Sequence, residues 1–183
     1  MDLVVNQSSQ QYSYADDNSL SDDEQRCLSR NRRRGSELSQ VNCHQIDLQQ
    51  NKSATAVLIK QFAAEETSIA LIQEPWINKD KILGLNTRGG TTYRGHLGER
   101  PRSCILIKGL IGYSMPQFGN RDVTAVCVEY TKNNKPQHLV VASVYMPIED
   151  NIPFSELEGL IACCISSKLP LVLACDANAH HVA

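Results

Sequence analysis

The chain has 183 residues, 42% hydrophobic and 21% charged, which suits one globular domain plus a polar tail. A formal net charge of −2 and a pI near 6.2 announce no basic nucleic-acid binder and exclude none, because a cation in a site offsets repulsion between phosphate and carboxylates. No apolar run approaches the roughly 18 residues of a membrane span, and MDLVVNQSSQ lacks a signal peptide's basic and apolar regions, so a soluble nuclear or cytoplasmic protein, not a secreted one, is expected.

Residues 1–40 are rich in Gln, Ser, Asn and Asp and poor in aliphatics, and they read as a disordered polar tail that cannot bury enough apolar surface to order itself. Its RNRRR run, Arg30 to Arg34, is a solvated charge run, a nuclear signal or a phosphate contact. From Val41 the pattern changes. Val41 to Leu48 predicts a short strand. Asn51 or Ser53 caps a helix through about Glu66, with Ala54, Val57, Leu58 and Phe62 on one face. Ser68 to Gln73 is an apolar run fit for a buried strand, stopped by Pro75. The segment from Asn78 to Arg102, with Gly84, Gly89, Gly90, Gly95 and Gly98, predicts a long functional loop.

Three more strands follow at Ser103 to Lys108, Asp122 to Tyr130 and His138 to Tyr145. The last two flank the polar turn TKNNKPQ and predict an antiparallel hairpin. Val123, Ala125 and Cys127 lie on one face, Val126 and Val128 on the other, so these strands are covered on both sides. A second helix spans about Pro153 to Ser167, burying Phe154, Leu157, Leu160, Ile161 and Cys164, with Ser155 and Glu158 as a capping box. Leu171 to Cys175 is a final buried strand. This order departs from pure βαβ alternation and favours an α/β sandwich, with sheets packed together and helices outside. No GxGxxG or GxxxxGK[ST] supports a nucleotide fold. The seven cysteines show no CxxC pair and mostly sit in apolar runs, which predicts buried free thiols rather than a zinc site.

Two apolar strands end in a carboxylate, ALIQEPW at Glu74 and LVLACDANAHH at Asp176. A carboxylate at a strand's end is partly desolvated and needs a cation or a donor. Two that converge make a hard-oxygen site suited to Mg²⁺ or Mn²⁺, whereas each alone is more often a turn or helix cap. Arg100 and Arg102 in ERPRSC are placed either to grip DNA phosphates or as surface arginines before a strand. Trp76 is placed to stack on a base or to pack at a core edge.

ALIQEPW, SVYMP and ACDANAHH, in that order, resemble the endonuclease/exonuclease/phosphatase superfamily, and within it the endonuclease domain of non-LTR (LINE-type) retrotransposons. The resemblance runs from about Cys43 to Ala183. It implies a DNase I-like, four-layer α/β/β/α sandwich of mixed sheets and Mg²⁺- or Mn²⁺-dependent nicking of DNA, with a reverse transcriptase as companion domain. In that family the glutamate of IQE ligates the metal, here Glu74. The tyrosine of YxP touches the scissile phosphate, here Tyr145. Asp-x-Asn supplies a water-orienting aspartate and a phosphoryl-binding asparagine, here Asp176 and Asn178. In QID, Asp47 stands near the metal where asparagine is usual, beside Gln45. The resemblance also places a further aspartate and a Ser-Asp-His motif beyond Asp-x-Asn. DANAHHVA holds neither, and His180 and His181 belong to the earlier motif. Residues 41–183 are therefore expected to form the N-terminal two-thirds of such a domain, with its last strands missing. The alternative expectation is a non-catalytic remnant that at most binds nucleic acid or metal.

Overall fold

The computed structural model describes residues 2–6, 40–96, 100–147 and 155–177. Two mixed sheets lie face to face. The first holds β1 (Asp2–Asn6), β2 (Gln40–Asp47), β3 (Ser68–Gln73), β6 (Gly90–Tyr93) and β7 (Ser103–Lys108), in the order β1-β2-β3-β7-β6. The second holds β8 (Ile111–Ser114), β9 (Val123–Lys132), β10 (Lys135–Tyr145) and β11 (Leu171–Asp176), in the order β11-β10-β9-β8. Strands β1, β2 and β3 run parallel, as do β10 and β11, and the other pairings within the two sheets are antiparallel. A small ribbon, β4 (Ile77–Asn78) with β5 (Lys81–Ile82), stands apart.

Strand alternation sorts the side chains into layers. Val41, Cys43, Ile69, Leu71, Ile105, Ile107, Val126, Val128 and Val141 fill the space between the sheets. Ala70, Ile72 and Leu106 point the other way, onto Leu58 and Phe62 of α1 (Lys52–Ala64). Ala125, Val140 and Ala142 meet Leu160 and Cys164 of α2 (Ser155–Ser166). Each fully buried aliphatic contributes roughly 1.5–3 kcal/mol. The result is four layers, α/β/β/α, as the motifs implied.

Local chemistry sets the ends. Asn51 caps α1, its Oδ1 accepting from the N–H groups of Ser53 at 2.8 Å and Ala54 at 3.1 Å. At the other end the Glu65 N–H donates to the Phe62 carbonyl at 3.3 Å, and Lys108 of β7 donates to the carbonyls of Phe62 and Ala63. The hairpin between β9 and β10 turns on Asn133 and Asn134, with φ of 52° and 60°, the left-handed pair a two-residue turn demands.

Five expectations need correction. Val57 is 66% exposed because the buried stripe of α1 runs through Thr55, Leu58 and Phe62. Ile161 is 37% exposed because α2 meets its sheet through Leu157, Leu160 and Cys164. Ser155 donates to Glu156 rather than forming a box with Glu158. The glycine-rich segment is not one long loop, since Gly90–Tyr93 pairs with β7. Asp2–Asn6, read as tail, adds an edge strand parallel to β2, its Leu-Val-Val run being able to join a ladder. Residues 7–39, with RNRRR, lie outside the described residues, as does Phe154.

The six described cysteines are free, and Cys43, Cys104 and Cys164 are buried. Burial pushes the Cys43 thiol up to about 12, the behaviour of an inert core sulfur. Among the described residues no helix is long and apolar enough to cross a membrane. Strand β11 is an edge of its sheet, with Leu173 41% exposed. Ile161 and Ile165 lie on the flank of α2 turned away from Gly159, which faces Phe118.

Candidate active site

Glu74 follows β3 directly and holds a φ of 43°, left-handed backbone that costs a non-glycine residue about 1–3 kcal/mol. Two hydrogen bonds hold it there. Its N–H donates to the Arg102 carbonyl at 2.8 Å, and its carbonyl accepts from the Gln50 N–H at 2.8 Å. On the facing sheet, Tyr145 and Asp176 are partners in the register of β10 and β11. Tyr145 is pinned through its N–H to the Asp122 carbonyl at 2.9 Å, and the Met146 N–H donates to the Asp176 carbonyl at 2.9 Å.

Glu74 lies within electrostatic reach of Asp47 and Asp176. Glu74 has its pKa raised by burial, then by the charges of Asp47 and Asp176, while a hydrogen bond from Gln50 and the charge of Arg102 act the other way. Tyr145 feels the same group: burial first and the Glu74 carboxylate next raise its pKa, against the pull of Arg102. A phenol so placed stays protonated and remains a donor. Asp47, at the exposed tip of β2, accepts from the Gln49 N–H at 3.0 Å. Asn178, His180 and His181 lie outside the described residues.

Arg102, expected either to grip DNA phosphates or to be a surface arginine before a strand, is ion-paired with Asp122. Its Nη2 donates to Asp122 Oδ2 at 2.6 Å, its Nε donates to Oδ1 of the same carboxylate, and Cζ stands 4.8 Å from the centre of the Tyr145 ring. The guanidinium therefore braces Tyr145, and any grip on a phosphate is shared with Asp122. Arg100 donates to Gln50 Oε1 at 2.6 Å, and Lys52 lies 5.5 Å from the Trp76 ring. Gly95 packs the glycine-rich segment against the turn carrying Asp122, since a Cβ there would meet the Val123 carbonyl at 2.1 Å.

Sequence reading missed Gln50 and Asp122. No motif marks either. Gln50 sits in a polar QQN stretch, although its φ of 53° beside Gln49 at 47° shows a specially held backbone. Asp122 is 4% exposed, and an aspartate at the start of an apolar strand was the one available signal.

Raising a carboxylate's pKa on folding means the folded state holds its proton to higher pH than the unfolded state. Glu74 thus adds nothing unfavourable below its unfolded pKa and progressively destabilises the fold as pH rises through the folded value. Glu74→Gln is expected to flatten this loss of stability above the ordinary glutamate range. Thermal midpoints of both proteins across that range, without divalent cation, check it; parallel curves would contradict it.

Asp47, Glu74 and Asp176 offer only oxygen, the donor that Mg²⁺ and Mn²⁺ take. Among the described residues no group of three or more His, Cys, Asp or Glu is placed to hold a metal ion. Mg²⁺ commonly keeps several waters and uses one or two carboxylates, so the residues fit an open site rather than a cage.

The four layers and the strand order of the two facing sheets define a DNase I-like fold. Among solved structures the chain is similar to the endonuclease domain of TRAS1, a telomere-specific non-LTR retrotransposon, with a TM-score of 0.55 and 23% identity. The match covers 75% of this chain and 58% of that one, so the chain spans less than two-thirds of its neighbour's length. At this identity the likeness is one of fold, and the neighbour comes from the group that the IQEPW and DANAH motifs resemble. No protein-family model matches the sequence, and no curated protein matches it.

Proposed function

We propose that residues 41–183 carry much of a divalent-metal-dependent phosphodiesterase domain that nicks DNA for a non-LTR retrotransposon, in the nucleus or the cytoplasm. The observation that carries this reading is the convergence of Glu74, Asp47, Asp176, Tyr145 and Arg102 from separate strand ends on one electrostatic neighbourhood. Glu74 and Asp47 would hold Mg²⁺ or Mn²⁺. That ion would offset charge on the phosphoryl group and the leaving oxygen. Asp176 orients an attacking water and takes its proton, and Asn178 holds a phosphoryl oxygen. Tyr145, kept as a phenol, donates to the phosphate as negative charge grows, and Arg102 adds positive charge beside it. Burial and the charges of Asp47 and Asp176 disfavour the ionised form of Glu74, a cost that a bound cation would offset.

A second reading is binding of nucleic acid or metal without cleavage. One assay separates the two. The 183-residue chain is incubated with supercoiled plasmid in Mg²⁺, with an EDTA control. Conversion to nicked circles in Mg²⁺ alone supports the nuclease. Intact plasmid, with Mn²⁺ bound and the plasmid shifted in a gel, supports the second reading. No cation binding would sink the nuclease reading, and the absence of a plasmid shift as well would sink the second.

A further inference from the structure

The space between the two sheets is not uniform. Five strands send three successive side chains into it, and on each the pattern is the same. Strand β2 gives Val41, Cys43, then Gln45, and β3 gives Ile69, Leu71, then Gln73. Strand β10 gives Leu139, Val141, then Ser143. The antiparallel strands read backwards: β7 gives Ile107, Ile105, then Ser103, and β9 gives Val128, Val126, then Thr124. Two layers are apolar and the third is polar. The polar layer lies at the end of the sandwich that carries Glu74 and Asp176.

This layer is hydrogen-bonded from one sheet to the other. Gln73 Nε2 donates to Ser143 Oγ at 3.0 Å and to the Ala174 carbonyl at 3.4 Å. Ser143 Oγ spends its single proton on the Ile72 carbonyl at 2.9 Å, which fixes the direction of its bond with Gln73. Gln45 Nε2 donates to the Cys175 carbonyl at 3.0 Å. Ser103 Oγ and Thr124 Oγ1 lie 2.9 Å apart. Gln73, Ser103, Thr124 and Ser143 are each no more than 1% exposed.

Cohesion does not call for such a layer. Apolar side chains of the same size would hold two sheets together at least as well, without the desolvation of five polar groups. Gln73 Oε1 is buried with no partner among the described residues, an unrecovered cost of about 1–3 kcal/mol. What the layer does supply is direction and distance, because a hydrogen bond is specific where apolar contact slides. Each anchor sits one or two residues from a site side chain. Gln45 precedes Asp47, Gln73 precedes Glu74, Ser143 precedes Tyr145, and the accepting carbonyls of Ala174 and Cys175 precede Asp176.

We infer that Gln73, with Ser143 and Gln45, is a positioning residue: this polar layer fixes the offset between the two sheets, so that Glu74 and Asp47 from one and Tyr145 and Asp176 from the other meet at a single phosphate. The role of the layer rests on the nuclease reading. Its geometric content, that the layer locks the relative place of the strand tips, does not.

Gln73→Met keeps the volume and removes every hydrogen bond of that side chain. It is expected to melt at or above the wild-type temperature. Its Mn²⁺ affinity and Mg²⁺-dependent nicking should fall by about 10–100-fold, the range seen when a group behind a metal ligand is lost. The backbone amide resonances of Glu74, Tyr145 and Asp176 should move or split, while those of Ile69 and Val128 stay. A stable Gln73→Met with unchanged tip resonances overturns the inference. So does one whose tips move with Mn²⁺ affinity and nicking intact. If the wild-type chain neither binds Mn²⁺ nor nicks, the nuclease reading fails by itself, and the resonances still decide the geometry. Should Gln73→Met not fold, Thr124→Val removes the Ser103 bond at constant shape and is scored on the same resonances.

Discussion

Glu74→Ala is expected to lower Mg²⁺-dependent nicking by at least about a thousandfold, while the thermal midpoint stays level or rises. The activity loss follows from what the carboxylate would do. A cation held at the phosphoryl group supplies several kcal/mol of charge stabilisation, and about 4 kcal/mol of it corresponds to that factor. The stability effect follows from what the carboxylate costs. Glu74 is partly buried and stands near Asp47 and Asp176, so its ionised form is disfavoured in the fold. Alanine removes that repulsion and keeps the same left-handed backbone. Plasmid nicking and a melting curve on one preparation check both halves. Undiminished nicking would remove Glu74 from the chemistry, and a midpoint many degrees lower would show that Glu74 supports the fold.

Asp122→Ala is the change expected to damage the fold most among the site residues. Asp122 is buried, and its two carboxylate oxygens take the Nε and Nη2 of Arg102. Breaking a fully buried pair costs about 3–5 kcal/mol. The Arg102 side chain is 25% exposed, so water recovers part of this, and about 2–3 kcal/mol is expected. For a chain of this size that is a fall of about 5–10 °C in the melting midpoint. Tyr145 loses its brace at the same time, so nicking should drop with it. Pairing the change with Arg102→Met separates ion-pair loss from simple side-chain loss, because the orphaned guanidinium disappears. The double variant should recover stability relative to Asp122→Ala. Strictly additive losses would show that the two side chains do not act together.

Legibility in the sequence followed physical locality. Strands β3 and β7 were read to the residue, because SIALIQ and SCILIK are unbroken runs between turn formers. Strand β8, IGYS, went unseen because only one of its four residues is aliphatic. Strand β6, GTTY, was hidden among glycines and exists because β7 offers it a ladder. The misplaced faces of Val57 and Ile161 have one cause. An apolar residue one position off the buried stripe looks the same in a sequence, and only the partner sheet decides. In the site, Glu74, Tyr145 and Asp176 were visible because motifs mark them. Gln50 and Asp122 act through tertiary hydrogen bonds to residues far along the chain, and no local pattern encodes those. The polar layer was visible as letters, but two glutamines, two serines and a threonine spread over nearly a hundred positions gain meaning only when the sheets face each other.

The exposed rim formed by β11 carries a consequence for the protein at high concentration. Among the described residues its outer backbone groups pair with no neighbouring strand, and LVLAC has no lysine, proline or bulge to deter pairing. Leu173 on this strand is 41% exposed and adds an apolar side chain to the border. Such a border is a template for intermolecular β-stacking. Expressed alone at high yield, the protein is therefore inclined to aggregate, and a capped or charged border is the first remedy for anyone preparing it for crystals.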